Sequence, residues 1–209
     1  MFQKKLSLLI LIFLLIIPLA FAQDEAPVKY REYGKGSNMF TFTAGVVLPT
    51  FFYRPYADDP FLAFPNEMHM KLGGYGSIRY QSFVNSVLAL GGELGYYFGY
   101  DLGMDLFTSV PIQAKLTYIP LQGAFEIPLS LGLGIAYNSY QAGEKPSYLS
   151  MFGSLEAGFS WFFKPDWGIT VSSGLQFIPE IYFKNHPHFQ DTTLAAFMPI
   201  TLSVTYRSN

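Results

Sequence analysis

The chain has 209 residues, of which 50% are hydrophobic and 13% are charged, and its formal net charge at pH 7 is −2. A soluble domain usually carries about 25% charged residues, so this composition does not suit a surface that faces water. The small negative charge excludes an electrostatic footprint for nucleic acid, and the absence of cysteine excludes disulfide bonds and thiolate chemistry.

The first predicted element is a cleavable signal peptide over residues 1–22. A basic pair of lysines precedes an apolar run from Leu6 to Leu19, and Ala20-Phe21-Ala22 forms a small-x-small cleavage site. Gln23 follows where a lipoprotein would carry cysteine. Residues 23–37 are polar and lack periodicity, so we expect them to form a flexible periplasmic segment.

Residues 38–206 show apolar and polar side chains in alternation, which predicts β-strands. Eight segments carry the pattern: Phe40–Leu48, Leu72–Tyr80, Leu88–Tyr100, Leu106–Tyr118, Phe125–Asn138, Leu149–Phe163, Ile169–Phe177 and Thr193–Thr205. A bilayer accepts only helices and closed barrels, and no apolar run after the signal peptide could form a spanning helix. The sequence therefore predicts an all-β, eight-stranded antiparallel up-and-down transmembrane barrel.

The composition of the two faces decides which one lines the lumen. A soluble ligand-binding barrel of the lipocalin type would carry a face rich in Lys and Glu toward water. Here the polar face is mostly Gly, Ser and Thr, which suit the narrow lumen of eight strands, and the bulky apolar face suits lipid. Outward aromatic residues also gather at strand ends around an aliphatic belt, as in outer-membrane barrels.

Connection lengths predict the orientation. The connections after the second, fourth and sixth strands are short, whereas Pro49–Met70 and Pro179–Thr192 are long. Short turns face the periplasm and long loops face the exterior in such barrels, so we expect both termini to be periplasmic.

On this pattern the chain resembles the small eight-stranded outer-membrane barrels, the group that includes OmpW, OmpX and the transmembrane domain of OmpA. The resemblance implies residence in the outer membrane, contact with lipopolysaccharide or an equivalent lipid, and insertion by the barrel-assembly machinery. The segment Ile200–Asn209 is similar to the family's insertion signal, but Arg207-Ser208-Asn209 stands where a terminal aromatic residue is usual.

Inward charges and inward aromatic residues are the candidate site residues. The charged set predicts a salt-bridged lumen plug, because buried charges must be paired, and a gate is the alternative. It consists of Arg79, Glu93, Lys115, Glu126 and Glu156. The aromatic set lies toward the exterior and is either a pocket for a small apolar molecule or simple packing. It consists of Tyr75, Tyr97, Phe107, Phe152 and Phe197.

Inward Pro111, Pro128 and Pro199 predict bulges or weakened pairing.

The predicted loops offer little chemistry. His69, His186 and His188 lie in loops without a fixed ligand set or a nearby Ser/His/acid grouping, so we expect no metal, no cofactor and no catalytic residue. The first long loop is rich in Phe and Tyr, which suggests contact with lipid or with a host or surface partner.

The leading interpretation is a non-enzymatic outer-membrane barrel with loops for contact and a lumen that passes small hydrophobic solutes. A structural barrel or adhesin without transport is the alternative, and a lipid-modifying enzyme is a distant third.

Overall fold

A computed structural model describes residues 32–56, 61–63, 71–100, 106–140, 147–185, 189 and 192–208. These residues form ten strands: β1 (Asn38–Arg54), β2 (Phe61–Ala63), β3 (Gly73–Phe83), β4 (Leu88–Tyr100), β5 (Leu106–Tyr118), β6 (Phe125–Glu126), β7 (Leu129–Tyr140), β8 (Tyr148–Phe162), β9 (Trp167–Glu180) and β10 (Thr193–Ser208). Within this part of the chain, no helix is long and apolar enough to cross a membrane.

Eight long strands close into one antiparallel barrel. Their order around the wall is β1, β3, β4, β5, β7, β8, β9 and β10, and β10 returns to pair with β1. This last pairing runs from Asn38 opposite Ser208 to Tyr53 opposite Leu194. Because closure removes the two sheet edges, the backbone N–H and C=O groups pair within the wall. The predicted fold class is confirmed.

The two faces of the wall carry opposite chemistry, as the alternation predicts. Along β7, Leu131, Leu133 and Ile135 are exposed on the outside, whereas Ser130 and Ala136 are buried. Inside, hydroxyl groups of neighbouring strands bond to each other, as in the Thr43–Ser203 pair at 2.9 Å. An apolar outer wall of this extent is far beyond the exposed patches of soluble proteins and requires hydrocarbon around it.

Prolines interrupt the wall at three places. Pro128 divides the predicted fifth strand into β6 and β7, which both pair with β8 in the same register. The predicted weakening of this strand at Pro128 is confirmed, because proline has no N–H to donate to the ladder. At Pro111 and Pro199 the ladder misses two pairs without any change of register.

The short turns at residues 84–87, 119–124 and 163–166 lie at one end of the barrel, which we call the turn end. At the opposite end, the loop end, some strands extend further than others. β1 continues as a strand to Arg54 and pairs with β2, so part of the long first loop is a hairpin. A bulge between Pro49 and Phe51 accommodates the bend, where the Thr50 hydroxyl donates to the Ala196 carbonyl at 2.7 Å.

The outward position of Leu131 yields a test of the wall. Leu131 is 45% exposed and pairs with Leu116 on one side and Leu155 on the other, so its side chain contacts only apolar surroundings. Leu131→Arg should lower the free energy of unfolding by about 2–4 kcal/mol in lipid vesicles, measured by urea titration. Leu131→Phe, which keeps an apolar side chain, should unfold like the wild type. Equal stability of the arginine variant would show that this face does not meet hydrocarbon.

Candidate functional site in the lumen

Four charged side chains meet in the middle of the lumen and form what we call the ionic cluster: Arg79, Glu93, Lys115 and Glu156. Arg79 contacts Glu93 at 2.5 Å and Glu156 at 2.8 Å, and Lys115 contacts the same two carboxylates at 3.2 and 2.6 Å. Each cation therefore bridges both anions, and the formal charge of the cluster is zero.

Strand register brings these four residues together from four strands. Arg79 of β3 lies directly opposite Glu93 of β4, Lys115 belongs to β5 on the other side of β4, and Glu156 of β8 approaches from across the narrow lumen. Glycines on the neighbouring strands leave the space. A Cβ at Gly132, which pairs with Lys115, would lie 1.9 Å from the Gln113 side-chain oxygen. The small inward residues are thus needed to accommodate the large charged ones.

Neutral donors complete the ionic cluster. The Tyr75 hydroxyl donates to Glu93 at 2.8 Å and the Gln113 amide donates to Glu93 at 2.7 Å. The Gln113 carbonyl oxygen in turn accepts a hydrogen bond from Ser154 at 2.7 Å. A buried carboxylate is tolerated when its lone pairs are occupied by charged and neutral donors, as they are at Glu93.

Toward the loop end, the five aromatic candidates Tyr75, Tyr97, Phe107, Phe152 and Phe197 share one buried cluster with Val47, Ala136, Ile178 and Ala195, and we call it the aromatic cluster. The five aromatic side chains are only 2–7% exposed. The Tyr97 ring centroid lies 5.1 Å from that of Phe197 and 5.6 Å from that of Phe107, which are contact distances for aromatic pairs. The rings pack against one another in this part of the lumen.

Toward the turn end, Glu126 is separated from the other predicted plug residues and pairs with Arg207 at 2.6 Å. The Tyr33 hydroxyl donates to Glu126 at 2.9 Å, and the Tyr33 ring stacks on Phe83 at 3.9 Å. Arg207 also lies 3.9 Å from the centroid of the Phe162 ring. We call Tyr33, Phe83, Glu126, Phe162 and Arg207 the basal cluster.

The basal cluster holds the chain that precedes β1. Residues 32–37, assigned by composition to a flexible segment, pack against the barrel end, and Tyr33 is only 4% exposed. The Tyr33 backbone N–H donates to the Gln122 side chain at 3.2 Å. Burial, and next the nearby Glu126 carboxylate, raises the pKa of the Tyr33 phenol well above its ordinary value, so the group stays a neutral donor. The Tyr33 ring thus anchors the end of this segment to the barrel through Phe83 and Glu126.

Arg207 is the residue that sequence reasoning missed. It was noted only as a departure from a terminal aromatic residue, although alternation with inward Thr201, Ser203 and Thr205 places it inside the lumen. Its backbone N–H donates to the Asp166 carbonyl at 2.8 Å and its Nε donates to the Pro165 carbonyl at 2.5 Å. The strand-parity rule alone would have found it.

Little space is left between the ionic and basal clusters. A cavity lined by Arg79, Glu126 and Glu156, among others, measures about 20 Å³, which is room for one water molecule. Among the described residues, the lumen therefore holds three clusters in succession: the aromatic, ionic and basal clusters. Across the described ranges, no three His, Cys, Asp or Glu side chains stand close enough to hold a metal ion, and the three histidines lie outside those ranges.

Comparisons with known proteins identify a family, two relatives and a solved structure with a similar fold. A protein-family model matches residues 21–206. A protein of Borreliella burgdorferi, described as uncharacterized, is 26% identical over an alignment of 230 positions that covers 99% of each chain. A Treponema pallidum protein with the same description is 33% identical over 99 residues, which span 47% of this chain and 44% of the relative. The crystal structure of Neisserial surface protein A superposes with a TM-score of 0.58 at 14% identity, covering 82% of this chain and 96% of that one.

Removing one charge from the ionic cluster tests whether the balance of its charges stabilises the barrel. Lys115→Met leaves Glu93 and Glu156 to share Arg79 alone, and removal of one partner from a buried ion pair costs about 3–5 kcal/mol. We expect that loss in the free energy of unfolding measured by urea titration in lipid vesicles. The double variant Lys115→Met, Glu156→Gln keeps the balanced Arg79–Glu93 pair and should recover much of the loss. A double variant that is no more stable than Lys115→Met would contradict the charge-balance account.

Proposed function

This chain belongs to the protein family whose model matches residues 21–206, and it has the fold of the small eight-stranded outer-membrane barrels. From this premise we propose that it is a non-enzymatic, non-conducting integral protein of the outer membrane. Its loop end makes contacts outside the cell, and the barrel anchors that end in the bilayer.

The observation that carries this proposal is the filled lumen. An eight-stranded barrel is only wide enough for its own side chains. Here aromatic rings, a neutral ionic cluster and the basal cluster occupy it in succession, and each charged group already has its partners. Charges that are committed to each other, and of which only Glu156 is partly exposed, at 20% of its side chain, are poor candidates for binding a passing ion or for acid–base catalysis.

The loop end supplies the surface for contact. Phe183 is 87% exposed and Ile181 is 63% exposed just beyond the end of β9. Near the loop ends of the neighbouring strands β1 and β10, Tyr56 stacks on Phe189 with ring centroids 4.4 Å apart. Apolar side chains that lie clear of the wall mark an interaction surface. The occupant that suits this surface is an apolar partner outside the cell or the lipid at the rim.

Passage of small hydrophobic solutes is the second candidate function, and one observation favours it. The ladder between β8 and β9 ends at Gly153 and Phe177, although both strands continue beyond this point. The wall is thus unpaired beside Phe152 and Ile178 of the aromatic cluster. Passage would require those packed rings to part, so we rank this function second.

Planar-bilayer recording tests the non-conducting proposal. We expect purified barrels, inserted as shown by their heat-dependent gel mobility, to give no stable open-channel current. Steady unitary currents in wild type would overturn the proposal. Binding of an apolar fluorophore above the detergent background, lost in Phe107→Lys, would instead favour the second candidate.

Cysteine labelling on intact cells tests the proposed direction of insertion. The chain has no native cysteine, so single variants label cleanly. Asn185→Cys at the loop end should react with an impermeant maleimide, whereas Asp166→Cys at the turn end should react only after lysis. The reverse pattern would show that the loop end faces the periplasm.

A further inference from the structure

The outer wall carries a shallow, widely open depression between taller side chains. One depression of about 500 Å³ lies across β5, β7, β8 and β9, and an adjoining one of about 380 Å³ continues across β8, β9 and β10. The two share Ala157 and Ser173, so together they form one continuous feature. We call it the outer groove.

Register explains the groove. Its floor follows one row of directly paired outward residues: Tyr118, Leu129, Ala157, Ser173 and Ile200. The two central members are small, and the Ser173 hydroxyl turns to the Pro199 carbonyl at 3.0 Å. On one side stands a row of four paired leucines: Leu116, Leu131, Leu155 and Leu175. On the other side stand Phe159 and Val171, which also pair with each other.

The dimensions of the groove are those of one extended hydrocarbon chain. Five strands at a spacing of about 4.8 Å make a row of about 19 Å. Tyr118 is the last residue of β5, whereas Ile200 lies well inside β10, so the row climbs from the turn-side rim toward mid-membrane. With strands tilted by about 40°, it climbs about 12 Å, close to one leaflet of hydrocarbon.

We propose that the outer groove binds one acyl chain of a phospholipid from the leaflet on the turn side of the barrel. The groove lies in the wall that faces hydrocarbon, its long sides are apolar, and the Tyr118 phenol stands at its headgroup end. A second copy of the barrel fits less well. Its convex wall would rest on the four leucines and leave the floor of the groove unfilled. The proposal rests on the membrane embedding of the proposed function and not on the direction of insertion.

The test fills the floor of the groove and counts retained lipid. Wild type and variants are assembled in nanodiscs of palmitoyl-oleoyl phosphatidylethanolamine, released into mild detergent and weighed by native mass spectrometry. We expect wild type to retain one phospholipid and Ala157→Phe to lose it severalfold. Ala114→Phe is the matched control, because Ala114 is an outward alanine of the same belt outside the groove, and it should retain the lipid.

Ala157→Leu fills the groove with a smaller side chain than phenylalanine. If Ala157→Phe does not fold, lipid retention by Ala157→Leu tests the proposal in its place. Heat-dependent gel mobility of each nanodisc sample separates failure to embed from failure of the groove to bind. Equal retention in wild type, Ala157→Phe and Ala157→Leu, or none in wild type, would overturn the proposal. Disulfide-linked dimers of Ala157→Cys would overturn it as well, since the groove would then be an interface between copies.

Discussion

The requirement that every backbone N–H and C=O be paired inside hydrocarbon is the constraint on which the rest of this structure depends. It is met by the return of β10 to β1, which closes the wall along the whole length of both strands. Closure with eight strands fixes a narrow lumen. A narrow lumen must in turn be filled by its own inward side chains, so the chemistry of the interior follows from the number of strands.

At two prolines that interrupt the ladder, the backbone carbonyl still finds a hydrogen-bond donor. At Pro199 the freed carbonyl of the proline accepts the Ser173 hydroxyl from the outer face. At Pro128 the carbonyl accepts the Gly158 N–H at 2.9 Å, so the chain stays bonded to β8 between β6 and β7. A serine that faces lipid is costly on its own and is accounted for by this bond. The same serine is a small residue on the floor of the outer groove. The hydrogen bond that satisfies the Pro199 carbonyl therefore also contributes to the shape of the candidate lipid site.

The two ion-paired clusters of the interior move the function of the barrel to its surfaces. The ionic cluster ties four strands together in mid-lumen, and the basal cluster ties the chain before β1 to the end of β10 through Tyr33, Glu126 and Arg207. Neither cluster has spare charge to offer a ligand. The loop end and the outer wall are the surfaces that remain, one for contact outside the cell and one for the bilayer itself.

The alternation of side chains was sufficient to predict the strands, their inward and outward faces and the closed barrel, because a period of two leaves no freedom once one face meets lipid. Arg79, Glu93, Lys115 and Glu156 were placed inside for the same reason. Alternation carries no information on which inward residues touch across the lumen. It therefore could not separate Glu126 from the ionic cluster or supply Tyr33 from the chain before β1. The outer groove depends on the register of four neighbouring strand pairs and is likewise invisible in the sequence.

Spin-label accessibility along β7 tests the central claim most directly, which is that an apolar wall surrounds a filled lumen. Single cysteines are placed in lipid bilayers at outward Leu129, Leu131, Leu133 and Ile135 and at inward Ser130 and Ala136, and oxygen should reach labels at the outward positions. Labels at the two inward positions should be reached neither by oxygen nor by a water-soluble nickel chelate. Access of the nickel chelate to the inward positions would reveal a water-filled lumen and contradict the account.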